Sequence, residues 1–233
     1  MLLIVNNKHD IKKYIDFSKN NNIFGVVISC KKNNQDIDQL IQDLKEISEN
    51  IIPTFCISTE YSKNSTTTLQ KLSEFENYLL QMNLNQALLV SGDPKRKLDT
   101  LICLNHLHKA KTKLKWGVVF NPFYTDMEVE KNRLRQKLKY SFVNQVYLQL
   151  GENLDKLTYG LEYIKSVQTT NLTIIGSILQ PSVTILNQFN IRQWNGVYFS
   201  EDFLSDLEYA KESMQYYQKL LQQNHCRVLI CGL

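Results

Sequence analysis

Short apolar runs recur along this chain with amphipathic stretches between them, and that recurrence limits the possible folds more than any single motif. Leu2 to Val5, Phe24 to Cys30, Ile51 to Thr59, Ala87 to Val90, Trp116 to Phe120, Val146 to Leu150, Leu172 to Leu179 and Arg227 to Cys231 each read as a strand. Apolar runs without polar alternation are what strands buried on both faces look like, and such strands belong to parallel sheets. The stretches between them carry helical spacing. Asp36 to Glu49 places Ile37, Leu40, Ile41, Leu44 and Ile47 on one face, and Leu69, Leu72, Phe75, Leu79 and Met82 form the inward face of a longer helix. Further helices are expected over Asp10 to Asn20, Leu98 to Ala110, Met127 to Tyr140, Leu154 to Val167, Val183 to Phe189 and Glu201 to Gln223. Alternation in units of about thirty residues forces parallel strands, because each right-handed crossover returns the chain to the same end of the sheet. An eightfold count selects the closed (β/α)8 TIM barrel over an open doubly wound sheet. Only two residues follow Cys231, so the barrel is expected to lack a final outer helix. With four Pro, eight Gly and no linker-like tract in 233 residues, residues 1–233 read as a single domain.

Charge and cysteine content narrow the class. A net charge of +4 comes from Lys and Arg scattered among Asp and Glu, which argues against a nucleic-acid surface, where basic residues cluster on one face. The five cysteines (30, 56, 103, 226 and 231) are widely spaced inside apolar runs and read as free thiols in a reducing compartment. The apolar start, Met1 to Val5, is too short for a signal peptide or a membrane span, so a soluble cytoplasmic protein is expected. His9, His106, His108 and His225 have no ligand partner at metal spacing, and no metal is expected.

In parallel α/β proteins the carboxyl ends of strands carry the binding groups. Ala87-Leu88-Leu89-Val90 runs straight into Ser91-Gly92-Asp93-Pro94, which makes Asp93 the first candidate; the same tripeptide is also an ordinary turn. The other ends read Asn121-Pro122, Gln149-Leu150-Gly151-Glu152-Asn153 and Gln180-Pro181-Ser182. Asp93, Asn121 and Gln149 are expected at one common mouth. Plain alternatives stand beside each: Lys137 as a solvated helix lysine, Gln149 as a partner of loop amides, and Trp194, Tyr198 and Phe199 as outer-layer packing.

Read together, these strand ends resemble the catalytic barrel of the methylenetetrahydrofolate reductases, flavoenzymes of folate one-carbon metabolism. The resemblance is best from Ile52 to Leu220. The fourth strand of that family ends in Arg-Gly-Asp, here Ser91-Gly92-Asp93; its Lys and later Thr-Gln fall at Lys137-Leu138 and Leu148-Gln149. Gly176-Ser177-Ile178-Leu179-Gln180-Pro181-Ser182 is similar to the family's Gly-Ile-Leu-Pro, and Arg192-Gln193-Trp194-Asn195-Gly196-Val197-Tyr198 to a motif of its shorter relatives. The resemblance implies an FAD-dependent oxidoreductase, with NADH as reductant and a folate as substrate. Asp93 would stand beside the flavin ring as the catalytic carboxylate, Ser29, Ser91, Gly92, Asn121 and Lys137 would hold the cofactor, and Gln149 would meet the pterin.

The departures are equally definite. The family's first strand carries a Glu that protonates the folate nitrogen, whereas Leu2-Leu3-Ile4-Val5-Asn6-Asn7 has no carboxylate. A positioned acid contributes about 10²–10⁴-fold in rate. Phe55 replaces a His, Asn121 a Tyr and Ser91 an Arg. The alternative expectation is therefore a catalytically silent barrel that serves as a folate-, flavin- or partner-binding module; a homo-oligomer, or a partner subunit that supplies the missing acid, is compatible with the sequence.

Overall fold

Strands and helices alternate throughout the computed structural model, which describes residues 2–5, 11–19, 23–29, 37–45, 48–60, 64–91, 98–167, 171–192, 194 and 196–232. The chain gathers into two compact units, Met1–Val118 with Gln136–Asn144 and Val119–Arg135 with Gln145–Leu233. In the first, β1 (Leu2–Val5), α1 (Ile11–Lys19), β2 (Gly25–Ser29), α2 (Ile37–Lys45), β3 (Ile51–Cys56), α3 (Ile57–Glu60), α4 (Ser65–Gln81), β4 (Gln86–Val90) and α5 (Thr100–Lys109) lead into β5 (Lys115–Phe120). Its strands are all parallel, with Leu2 opposite Gly25, Val26 opposite Ile51, Thr54 opposite Leu88, and Leu88 opposite Gly117. Ile52, Leu89, Trp116 and Val118 are fully buried, as expected of strands covered on both faces.

The second unit takes in most of α6 (Met127–Lys137) and β6 (Val143–Leu148). It continues through α7 (Leu154–Val167), β7 (Thr173–Leu179), α8 (Val183–Ile191), α9 (Glu201–Ser205), α10 (Leu207–Gln223) and β8 (Arg227–Cys231). These strands are parallel too, Leu148 lying opposite Gly176 and Gly176 opposite Val228. Gly176 lets α10 seat on β7, since a Cβ there would come within 2.2 Å of the Leu221 side chain. Among the described residues, no helix is long and apolar enough to cross a membrane.

The helix boundaries follow local chemistry. Asn64, Asp99, Ser182 and Ser200 each accept from the backbone N–H three residues on, which satisfies a donor that the first turn leaves open. Three helices stop in the same way. Asn83, Lys111 and His225 hold φ of 57°, 56° and 58°, and the next residue donates back to the carbonyl five positions earlier: Leu84 to Leu79, Thr112 to Leu107, and Cys226 to Leu221. This is the C-terminal motif usually built on glycine, here carried by other residues.

Several boundaries differ from the sequence expectation, among them the end of α6 at Lys137 rather than Tyr140, and three have a clear local account. β6 begins at Val143 rather than Val146 and ends at Leu148, so Gln149 and Leu150 lie past the strand. Its first turns read as loop because Asn144 and Gln145 are polar, yet Gln145 is buried and accepts from the Tyr147 hydroxyl at 2.9 Å. The helix expected over Glu201 to Gln223 is two, because Asp206 adopts φ −118° and caps α10 by accepting from Glu208 N–H and Tyr209 N–H. The strand expected to reach Thr59 stops at Cys56, and the short α3 follows.

Candidate functional site

Carboxyl ends of strands in the second unit hold a connected set of polar groups. Asn121 is the first residue past β5, and its surroundings fix it from three sides. Its backbone N–H donates to Glu130 Oε1 at 3.1 Å, from the first turn of α6. Its Oδ1 accepts from Phe123 N–H at 3.0 Å, a local turn typical of Asn, and its Nδ2 donates to the Gly196 carbonyl at 3.0 Å. Gln149, the first residue past β6, donates its N–H to the Phe120 carbonyl at 2.9 Å, and its side chain is half-buried. Gly196 has φ +77°, a region open to glycine at little cost. A Cβ on it would lie 3.3 Å from Asn121 Nδ2 and 3.5 Å from Gln149 Nε2. Two carboxamides therefore converge on one bare backbone position.

The loop after Gln149 continues this wall. A Cβ on Gly151 would fall 2.5 Å from the Phe123 ring, so only glycine allows that ring to close over the loop. Phe123 in turn stacks near Tyr217 of α10, with centroids 6.4 Å apart and planes at 29°. Glu152 Oε1 accepts from Ser200 N–H at 2.7 Å, tying the loop to the start of α9. Glu152 Oε2 and the Tyr217 hydroxyl are buried and have no hydrogen-bond partner among the described residues. Burial first, then the Glu152 charge, pushes the Tyr217 phenol well above its ordinary value, so it remains an O–H donor.

The candidates named from sequence fall in different places. Asn121 and Gln149 come together around Gly196 as described. Gly92 and Asp93 lie outside the described residues, as do Gln193 and Asn195. Ser91 is exposed just past β4, where its carbonyl accepts from Ser58 N–H at 3.1 Å. Ser29 is the last residue of β2, opposite Thr54. Lys137 is buried, not solvated, and closes α6 in the connection that enters the amino end of β6. Phe55 packs in the core, its ring 5.4 Å from that of Phe75. Phe199 is packing, stacked 4.4 Å from Phe203; Trp194 is partly exposed but packs on Phe189 with ring centroids 4.8 Å apart, and Tyr198 is exposed. His106 pairs with Ser73 at 2.8 Å.

Sequence reading missed Glu152, Glu130 and Tyr217. Glu152 stood in a quoted strand-end string, and its only signal was a carboxylate three residues beyond Gln149. Tyr217 lies on the apolar face of a helix and gave none. Of the residues expected to hold a flavin, Asn121 has both amide atoms bonded within the protein, and Lys137 is buried at a helix end. Among the described residues no three His, Cys, Asp or Glu are grouped to hold a metal ion.

No family model and no curated protein matches the sequence. Solved structures do match in fold. An uncharacterised protein from Clostridium thermocellum that binds two copies of 5-methyl-5,6,7,8-tetrahydrofolic acid superposes with TM-score 0.68 at 15% identity, over 100% of this chain and 88% of that one. The intracellular xylanase TsXylA from Thermoanaerobacterium saccharolyticum gives 0.60 at 8% identity, over 98% and 84%. Active domain 2 of a chitinase from Pyrococcus furiosus gives 0.56 at 8%, over 98% and 82%. At these identities the likeness is one of fold: parallel strands alternating with helices.

Proposed function

We propose that this chain binds a reduced folate at the carboxyl ends of its strands, with Gln149 against the pteridine ring, and that its eight strands form one closed (β/α)8 barrel. The observation that carries the reading is the half-buried carboxamide of Gln149 beside Gly196, in a fold shared with a protein that binds 5-methyltetrahydrofolate. A carboxamide both donates and accepts, which matches a pteridine edge presenting both kinds of group. Asn121 acts as a positioning residue, holding the Gly196 carbonyl through Nδ2.

Binding is favoured over reduction. The strand Leu2–Val5 contains no carboxylate to protonate a folate nitrogen, and a positioned acid is what that chemistry requires. FAD, with NADH as its reductant, belongs to the oxidoreductase reading, which rests on Asp93 with Ser29, Ser91 and Gly92; flavin difference spectroscopy tests it directly. For the folate reading, titration calorimetry with 5-methyltetrahydrofolate should give saturable binding that weakens about tenfold or more in Gln149→Ala, the loss of hydrogen bonds to a polar edge. Equal affinity of the variant and the parent would reject Gln149 as the contact. No binding by the parent protein would reject the folate reading.

A further inference from the structure

We propose that Glu152 and Tyr217 are a donor–acceptor pair that reads a lactam edge of the ligand, an N–H beside a C=O; this rests on the folate reading above. Glu152 lies three residues beyond Gln149, so the loop that places one side chain places the other. Ser200 N–H holds Glu152 Oε1 at 2.7 Å and leaves Oε2 pointing into the protein with no partner among the described residues. Tyr217 is 1% exposed, and its hydroxyl likewise has none. Phe123 joins the two into one cluster, since its ring stacks near Tyr217 and also lies against Gly151, the neighbour of Glu152.

Buried polar atoms are nearly always bonded, so two open ones of opposite character in one cluster call for an explanation. A carboxylate oxygen only accepts, and a phenol kept protonated by burial donates. A group that donates to Oε2 and accepts from the Tyr217 hydroxyl would complete both. The pteridinone ring carries such a group in its ring N3–H and adjacent C4=O, on the edge that sets it apart from a purine of the adenine type. A carboxylate acceptor also makes the stronger class of hydrogen bond, so the pair would weigh on specificity as well as on fit.

The test compares folic acid with its N3-methyl derivative, which lacks the N–H, by equilibrium binding to the full chain, to Glu152→Gln and to Tyr217→Phe. Both substitutions keep the side-chain shape, and circular dichroism checks that each variant is folded. The parent should favour folic acid by about tenfold or more. In Glu152→Gln that preference should shrink to about twofold, because ligand and residue changes that remove the same bond are not additive. Tyr217→Phe should weaken folic acid while keeping the N3–H preference. An unchanged preference in Glu152→Gln, or folic acid affinities that neither variant alters, would overturn the inference and leave a pair that holds only a buried water. If Gln149→Ala weakens binding and these variants do not, folate binding stands and this inference falls. If the parent binds no folate, the functional reading fails first and takes the inference with it.

Discussion

Two glutamates, one in each compact unit, show how differently the same side chain is used. Glu76 in α4 is buried, and its Oε1 accepts from the Thr112 hydroxyl and from Lys113 N–H at 3.0 Å. Thr112 in turn accepts from Trp116 Nε1 at 3.2 Å and Leu114 N–H at 3.3 Å, so the carboxylate anchors the turn that leads into β5. Glu152 sits past the carboxyl end of β6 with one oxygen bonded and the other open. A complete buried network rigidifies and specifies structure, whereas an open buried polar atom carries a free-energy cost. The comparison separates a carboxylate that builds the fold from one with an oxygen left open.

The largest effect that can break this contrast is on stability. Glu76→Ala leaves the Lys113 N–H and the Thr112 hydroxyl without their acceptor and should cost about 1–3 kcal/mol, from two part-buried hydrogen bonds to a buried carboxylate. Glu152→Gln keeps an oxygen for Ser200 and should change stability by less than about 1 kcal/mol. Urea denaturation of the two variants measures both. Equal losses would erase the distinction between the structural and the open carboxylate.

That distinction also marks where sequence reading succeeded. Alternation of apolar runs located the strands, and β4, β5, β7 and β8 end where it placed them, at Val90, Phe120, Leu179 and Cys231. Hydrophobic periodicity is a strong signal because burial on both faces excludes polar residues. It failed at β6, where Gln145 is buried but satisfied by Tyr147, since a polar residue whose partner lies two positions away reads as loop. It also failed at Asp206, although an Asp followed by a helical pattern is a recognised start signal. At the candidate site, Asn121 and Gln149 were legible as strand-end amides. The engagement of Asn121 with Gly196, seventy-five positions along the chain, was not, because nothing local encodes it. Glu152 and Tyr217 were hidden for the same reason: whether a polar atom is bonded is a property of the folded chain.

A second test sharpens the comparison through buried acids of another kind. Burial, with the Asp99 charge adding to it, raises Cys103 in the first unit from its ordinary 9.0 to about 12. In the second unit burial raises Cys231 to about 12, and raises Cys226 to about 11 against the opposing Lys165 charge. The unfolded chain releases these protons near pH 9 while the folded chain retains them. Stability is therefore whole well below pH 9 and falls as pH rises toward 11–12, by about 1.4 kcal/mol per thiol at pH 10. Urea midpoints measured from pH 8 to 10 should decline, and the decline should be shallower in Cys231→Ala. A flat profile would mean that the thiols reach water, contrary to the burial of both units' cores.

The smallest effect concerns the shared helix ending, which gives each unit an internal control. Lys111 in the first unit and His225 in the second hold left-handed backbone angles that a side chain disfavours by roughly 1–2 kcal/mol. Replacement by glycine removes that strain and gives part of it back through the greater freedom of the unfolded chain. Lys111→Gly and His225→Gly should each stabilise by about 0.5 kcal/mol, a net of those two terms. Both side chains are exposed, so little packing is lost. Asn83→Gly should give less, because Asn tolerates this conformation better than Lys or His. Thermal unfolding of the three variants orders them. A gain at Asn83 equal to the other two would show that Asn is strained there as much as Lys and His, whereas a loss at all three would show that the side chains contribute contacts that outweigh the backbone strain.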